Sequence, residues 1–169
     1  MSNIRRYYEE GAVYFATTVT RDRQPLFLDK KNCRILLVTV EYYKAIFDYK
    51  VLGYCLMPDH FHLIVQPTSR FNLSDIMKMV KGSFARKLNK LADRQGPMWQ
   101  RRFFDQVIRN EKQLTMQLDY MHQNPVMAGL ASEARNYPYS SYCQYEGILK
   151  PENTILEVDQ IDSLNVTAH

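Results

Sequence analysis

Two apolar runs on either side of a Pro-Asp dipeptide constrain the fold of this chain more than any other feature. Residues 49–57 and 60–66 are rich in aliphatic, β-branched and aromatic side chains, and Pro58-Asp59 separates them. Such runs around a turn dipeptide predict two strands joined in a hairpin. The second run also carries His60 and His62, whose side chains would project from the same face of a strand.

Further strands and helices are predicted on both sides of the hairpin from the spacing of apolar residues. Composition and spacing predict strands at residues 12–20 and 99–109, and helices at 30–48, at 73–92 and from Asn110 to about Pro125. The order β-α-β-β-α-β-α resembles the ferredoxin-like split βαβ arrangement. We therefore expect an α+β fold, with helices packed mainly on one face of an antiparallel sheet.

The length of 169 residues indicates a single domain with its own core. Hydrophobic patterning fades after residue 147, so we expect a domain over residues 1–147 and a C-terminal tail over 148–169, either lying on the domain or partly disordered. Three scattered cysteines suggest no disulfide framework and are expected to be reduced packing residues: Cys33, Cys55 and Cys143. No segment approaches the roughly 20 apolar residues that span a bilayer, and no secretory signal is recognisable, which predicts a cytoplasmic protein.

The histidine pair raises the possibility of a metal site. Side chains at positions i and i+2 of a strand lie roughly 7 Å apart on one face, a span that two imidazoles can close onto one cation. On its own, however, the pattern is weak, because a histidine beside a core can simply be hydrogen-bonded. A metal site needs further ligands from another part of the chain.

The last predicted helix offers such groups. Tyr120 and Asn124 lie four residues apart and share a helix face with Gln117, while the opposite face is apolar. A phenol placed near a cation and a phosphate can attack phosphorus and form a covalent link. The alternative is that Tyr120 is an ordinary half-buried aromatic, in a chain that contains 12 tyrosines.

Charge is distributed unevenly along the chain, whose formal net charge is +4. From Arg70 to Lys112 there are eleven Lys and Arg against four Asp and Glu, and from Gln113 to the C-terminus two against seven. The basic middle segment is compatible with one face that binds a polyanion, and equally with a solvated helix face.

Four motifs together resemble a known family. PDHFHLIV, a basic helix followed by MWQRRFFDQVIRN, then LDYMHQNPV and YPYSSY occur in the order found in the REP-associated tyrosine transposases, relatives of the single-tyrosine insertion-sequence transposases. The resemblance runs from about Arg5 to about Gly147. It implies a nuclease of the histidine-hydrophobic-histidine class that binds bacterial repetitive extragenic palindromes (REP or BIME-like) as single-stranded DNA hairpins and cleaves beside them. It also implies a nucleoid-associated location, and we expect a monomer rather than a dimer.

The resemblance assigns site residues by their position in the motifs. His60 and His62 match the metal-binding pair, Tyr120 the nucleophile, and Asn124 the third, polar metal ligand. The implied cofactor is a divalent cation, Mg²⁺ by availability or Mn²⁺ by its tolerance of imidazole. The neighbouring His122 and Gln123 receive no catalytic role.

The DNA-binding residues are expected from the basic segment and the N-terminus. The candidates are Arg5, Arg6, Lys78, Lys81, Arg86, Lys87, Arg101, Arg102 and Arg109, with Trp99 as a platform on which an unpaired base could stack. Trp99 could instead belong to the core. Two other functions remain open at this point: a hairpin-binding protein that has lost cleavage, and a metal-dependent phosphodiesterase that uses water.

Overall fold

The computed structural model describes residues 8–148 and 150–160. Its main elements are β1 (Val13–Val19), α1 (Lys30–Phe47), β2 (Lys50–Met57), β3 (His60–Gln66), α2 (Leu73–Leu91), β4 (Phe104–Ile108), α3 (Glu111–Met127) and a short α4 (Tyr142–Tyr145). The predicted order of elements is confirmed, and α4 is an addition to it. Within the described ranges, no helix is long and apolar enough to cross a membrane.

The four strands form one antiparallel sheet in the order β2-β3-β1-β4. β2 and β3 form the predicted hairpin around Pro58-Asp59, with Met57 paired to His60. β1 inserts between β3 and β4, and therefore places residues from the start of the chain beside the hairpin. The expected α+β fold is confirmed.

The two faces of the sheet carry separate hydrophobic clusters. On one face Tyr14, Phe61 and Leu63 pack under α1 and α2. On the other face, Phe15 and Ile64 pack with residues of α3. Two of the three long helices thus cover one face and α3 alone covers the other, so that helices lie mainly, but not only, on one side.

α3 approaches the sheet closely where β2 carries a glycine. A Cβ atom added to Gly53 would lie 2.6 Å from Cδ2 of Leu118 and 2.8 Å from Cε of Met121. Any larger residue would have to displace the helix or its side chains. The glycine therefore leaves room for the Leu118 and Met121 side chains between α3 and β2.

The predicted strand at 99–109 is shorter than expected, because it begins only at Phe104. Trp99 forms one isolated bridge to Thr20 and turns its ring into the core, where it is 7% exposed and packs against Phe27 and Phe84. Its Nε1–H donates to the backbone oxygen of Lys81. Of the two roles left open for Trp99, the structure favours the core role, since both the ring and its polar atom have partners within the fold.

α3 continues two residues beyond the predicted end at Pro125. Proline lacks the N–H that would bond to the preceding turn, yet the helix resumes, with Ala128 N–H donating to the oxygen of Asn124. Pro125 itself is buried within the helix.

The segment after residue 147 lies on the domain as far as residue 160. Asn153 and Leu156 are buried, and their backbone oxygens accept hydrogen bonds from the Gln144 amide. Asp159 exchanges two hydrogen bonds with Val51, at the outer edge of β2. The three cysteines are buried and free, as predicted.

Candidate active site

α3 is held in place at its start and along one side. Asn110 caps the helix by accepting the N–H of Gln113. Further along, Nε2 of His122 is hydrogen-bonded to Oγ of Ser141 at 2.8 Å, and that hydroxyl also accepts the N–H of Tyr54 on β2. His122 therefore connects α3 to β2 through Ser141, which belongs to the YPYSSY motif.

In this position of α3, the side chains of Tyr120 and Asn124 point towards β3 and β1. The Tyr120 ring centre lies 6.0 Å from that of His62 and 6.3 Å from that of Phe15, edge-on in both cases. The Tyr120 side chain is 53% exposed, so a substrate from solvent can reach its hydroxyl. The spacing of four residues brings Asn124 to the same histidine.

His60 and His62 project from the same face of β3, as predicted, with ring centres 4.8 Å apart. His62 is the more buried, at 4% exposure, and burial lowers the pKa of its imidazole to about 3. His62 is therefore neutral near pH 7, with one ring nitrogen protonated and the other available as an acceptor or a ligand.

The hydrogen bonds of His62 indicate which nitrogen is available. Its Nδ1 lies 2.7 Å from Oγ1 of Thr17 on β1, and its Nε2 lies 2.9 Å from the amide nitrogen of Asn124. Because the amide N–H donates to Nε2, the proton of the neutral ring is assigned to Nδ1, which donates to Thr17. The lone pair of Nε2 thus points towards α3.

His60 is oriented in the same way by a carboxylate. Its Nδ1 lies 2.6 Å from Oδ1 of Asp59, and Arg23 donates to the other oxygen of Asp59 at 3.1 Å. Burial alone would raise the pKa of Asp59, but hydrogen bonds from His60 and Arg23 lower it below its usual value. The carboxylate therefore stays ionised and holds the imidazole by Nδ1, which leaves Nε2 unengaged by these partners.

These groups fit a divalent cation. Metal-binding histidines commonly donate their second N–H to a carboxylate or hydroxyl, as His60 and His62 do here. Asn124 adds an amide, whose oxygen and nitrogen exchange places by rotation about one bond. No group of three or more His, Cys, Asp and Glu side chains suited to a metal occurs in the described part of the chain. Two imidazoles and one amide would leave several coordination positions open to a substrate.

The predicted DNA-binding residues fall on different surfaces. Arg101, Arg102 and Arg109 are exposed beside β4, although Arg109 is ion-paired with Glu9. The basic residues of α2 lie on the helix that covers the opposite face of the sheet from the histidines: Lys78, Arg86 and Lys87, which are exposed, and Lys81, whose ammonium donates to the Gln100 oxygen. Arg5 and Arg6 lie outside the described residues.

Two site residues were not recognised from the sequence. The sequence indicates Asp59 only as part of a turn, although its position next to His60 is a usable signal. Thr17 had no signal, because its contact with His62 depends on the register between β1 and β3.

Comparisons with known proteins identify the family of the chain. The family model described as IS200-like transposase matches residues 11–124, more than half of the chain. A Haemophilus influenzae protein assigned as a REP-associated tyrosine transposase is 33% identical over 155 residues, covering 84% of this chain and 86% of that protein. The REP-associated tyrosine transposase of Escherichia coli is 27% identical over 143 residues, covering 84% and 83%.

Comparison with a solved structure shows that the fold is also shared. A REP-associated tyrosine transposase bound to a REP hairpin superimposes with a TM-score of 0.76 at 25% identity, and 96% of each chain is covered. The matched family segment includes the histidine pair, Tyr120 and Asn124. The chain therefore belongs to the IS200-like transposase family.

Proposed function

We propose that this protein is a single-stranded DNA endonuclease and strand transferase that binds REP-type hairpins and cuts beside them through Tyr120. The observation that carries the proposal is the meeting of α3 and β3: Tyr120 lies beside His62, and Asn124 contacts it directly. The three side chains come from one chain, which supports a monomer as the active form.

Tyr120 acts as the nucleophile. A bond forms between its phenol oxygen and phosphorus while the bond from phosphorus to the 3′ oxygen breaks. The phenol releases its proton to solvent, and the leaving oxygen takes one up. The product is a 5′-phosphotyrosine link and a free 3′-hydroxyl, so the reaction can be reversed or completed on another 3′-hydroxyl without an external energy source.

His60, His62 and Asn124 would hold the divalent cation, Mg²⁺ or Mn²⁺. When bound, the cation supplies positive charge that polarises the scissile phosphate. Thr17 and Asp59 keep the two Nε2 atoms directed at that position, and Phe15, stacked on His62 at 5.3 Å, limits the movement of the ring.

DNA binding would depend on phosphate contacts and on unpaired bases. Arg101 and Arg102 are exposed next to the strand that flanks the site. A relative with the same fold has been solved with a REP hairpin bound, which supports a hairpin as the ligand. Single strands and hairpin loops are recognised mainly through stacking and accessible base edges.

The decisive experiment is to search for a covalent adduct. The protein is incubated with Mn²⁺ and a labelled single-stranded palindrome that carries unpaired flanks, then denatured and resolved by electrophoresis. We expect a shifted protein band whose DNA maps to Tyr120, and its loss in Tyr120→Phe. Tyr42→Phe is the matched control, because Tyr42 is 57% exposed on α1, which covers the other face of the sheet.

The two other functions give different results in the same experiment. A hydrolase that activates water would cut the strand without leaving an adduct, and Tyr120→Phe would still cut. A binding protein without activity would retain the hairpin and leave it intact. Either result would overturn the proposal.

A further inference from the structure

Phe104 is an aromatic side chain on the surface of an edge strand. It begins β4, and the residue is 59% exposed. Within the described residues, β4 pairs only with β1. An exposed aromatic on an open edge favours aggregation, so its presence there calls for an explanation.

The strand register places Phe104 on the face that carries the histidines. Phe104 pairs with Thr17, and Thr17 pairs with His62, so the three residues form one row across the sheet. Directly paired residues project from the same face. The alternation along β4 agrees, because Ile108 joins the core cluster under α3 while Val107 packs into the cluster on the other face.

α3 covers the neighbouring row of the sheet. Gln106, the next residue of β4 on this face, is hydrogen-bonded to Gln117 of α3. Phe104 lies in the next row, which is the row that contains His62, and it remains exposed. Two strand spacings, roughly 10 Å, separate its backbone from that of His62.

Two cations precede Phe104 in the chain, and one carboxylate, that of Asp105, follows it. The two cations, Arg101 and Arg102, are exposed. An aromatic ring next to arginines, at the edge of a phosphate-reactive site, is the combination that binds single-stranded nucleic acid, because the ring stacks on a base while the cations contact phosphates.

We infer that Phe104 is the platform on which an unpaired nucleobase stacks, in the DNA strand whose phosphate lies at Tyr120. This inference rests on the proposed function and makes it more specific. The occupant is a base of the single-stranded flank rather than of the hairpin stem, since a paired base has no free face to offer. Phe104 thus takes the stacking role that the sequence left open for Trp99.

The test is a binding experiment without cleavage. Affinities are measured by fluorescence anisotropy without divalent metal, in a Tyr120→Phe background, for a hairpin with single-stranded flanks and for the same hairpin without them. Phe104→Ala should weaken binding of the flanked hairpin by about tenfold and leave the bare hairpin unchanged. Phe104→Tyr should retain affinity. Leu91→Ala is the matched control, because Leu91 is also 59% exposed but lies on α2.

Abasic substitutions then locate the base. One abasic position in the flank should weaken binding to the Phe104-containing protein, yet have no further effect on Phe104→Ala, because both changes remove the same stacking contact. Additive effects at every flank position would overturn the inference. Equal losses of affinity for the flanked and the bare hairpin in Phe104→Ala would also overturn it. So would a change in the sedimentation mass of Phe104→Ala without a flank effect, because Phe104 would then mediate contact between protein copies.

The outcome is separable from that of the proposed function. If no adduct forms but the flank effect depends on Phe104, the stacking role of Phe104 is supported and the proposed cleavage is contradicted. If the adduct forms but the flank effect is absent, cleavage stands and the platform fails.

Discussion

The amide nitrogen of Asn124 lies 2.9 Å from Nε2 of His62, across a separation of 62 residues in the sequence. This contact joins the helix that carries Tyr120 to the strand that carries both histidines. Its geometry depends on neighbours that do not themselves react, and those neighbours provide the most direct tests.

Thr17→Val should weaken metal binding. The change keeps the shape of the side chain but removes the hydroxyl that accepts the Nδ1 proton of His62, so the ring loses its fixed tautomer. Loss of such a supporting contact typically costs 10–100-fold in metal affinity. Mn²⁺ affinity is measured by titration with electron paramagnetic resonance, without DNA.

Thr18→Val is the control for that experiment. The Thr18 hydroxyl is buried and has no hydrogen-bond partner in the described part of the chain. Its replacement should leave Mn²⁺ affinity unchanged and should not destabilise the fold. Equal effects of the two substitutions would show that Thr17 acts only through packing.

Gly53→Ala should impair cleavage more than hairpin binding. The new Cβ would lie too close to the side-chain ends of Leu118 and Met121, and we expect repacking of the two side chains to move α3 and Tyr120 with it. We expect a loss of about 1–3 kcal/mol in the free energy of unfolding. Urea denaturation and the adduct assay measure the two effects.

Gly82→Ala provides the comparison in a helix interior. A Cβ on Gly82 would lie 3.3 Å from a terminal nitrogen of Arg86, which is at the end of a flexible side chain. Helix propensity predicts a gain of roughly 0.5–1 kcal/mol and normal cleavage. Normal cleavage by Gly53→Ala as well would contradict the expected movement of α3.

His122 should make stability depend on pH. Burial lowers the pKa of its imidazole to about 4 from an ordinary 6.5, so the unfolded chain takes up a proton at a higher pH than the folded one. The contribution of neutral His122 to the free energy of unfolding is complete above pH 6.5 and is lost as the pH falls towards 4. Between pH 7.5 and 5 the loss should be about 2 kcal/mol.

His122→Gln isolates this contribution. Glutamine can still hydrogen-bond to Ser141 but does not titrate, while His62, which shifts in the same direction, is present in both proteins. Urea denaturation measures the free energy of unfolding of both proteins. The wild-type value minus the His122→Gln value should fall by about 2 kcal/mol between pH 7.5 and pH 5. A constant difference would exclude His122 as the source.

Arg101→Glu with Arg102→Glu should weaken DNA binding before it affects chemistry. Each lost phosphate contact reduces counterion release, so the slope of log affinity against log salt should become shallower by about one per contact. Lys30→Glu with Lys31→Glu, at the exposed start of α1, serves as a charge-matched control. Equal effects of both pairs would indicate a general response to net charge.

Local features of the chain were predictable from its sequence. The hairpin around Pro58-Asp59, the helix capped by Asn110 and the common face of Tyr120 and Asn124 all depend on residues close together in the chain. The family motifs then assigned the chemistry to the two histidines.

Features that depend on pairing between distant segments were not predictable. The contact of Thr17 with His62 and the exposure of Phe104 follow from β1 lying between β3 and β4, and periodicity does not determine that order. The sequence left both a core role and a stacking role open for Trp99 for the same reason, since the partners of its ring, Phe27 and Phe84, come from remote segments.

The attachment of α3 through His122 and Ser141 has a consequence for the protein during its synthesis. The chain leaves the ribosome from its N-terminus, so the histidines of β3 emerge first, then Tyr120, and Ser141 only later. Until residues 139–141 line the edge of β2, the helix lacks this attachment to the sheet. We expect a chain truncated before Ser141 to contain every proposed reactive group and still leave the hairpin substrate uncut, which the adduct assay measures.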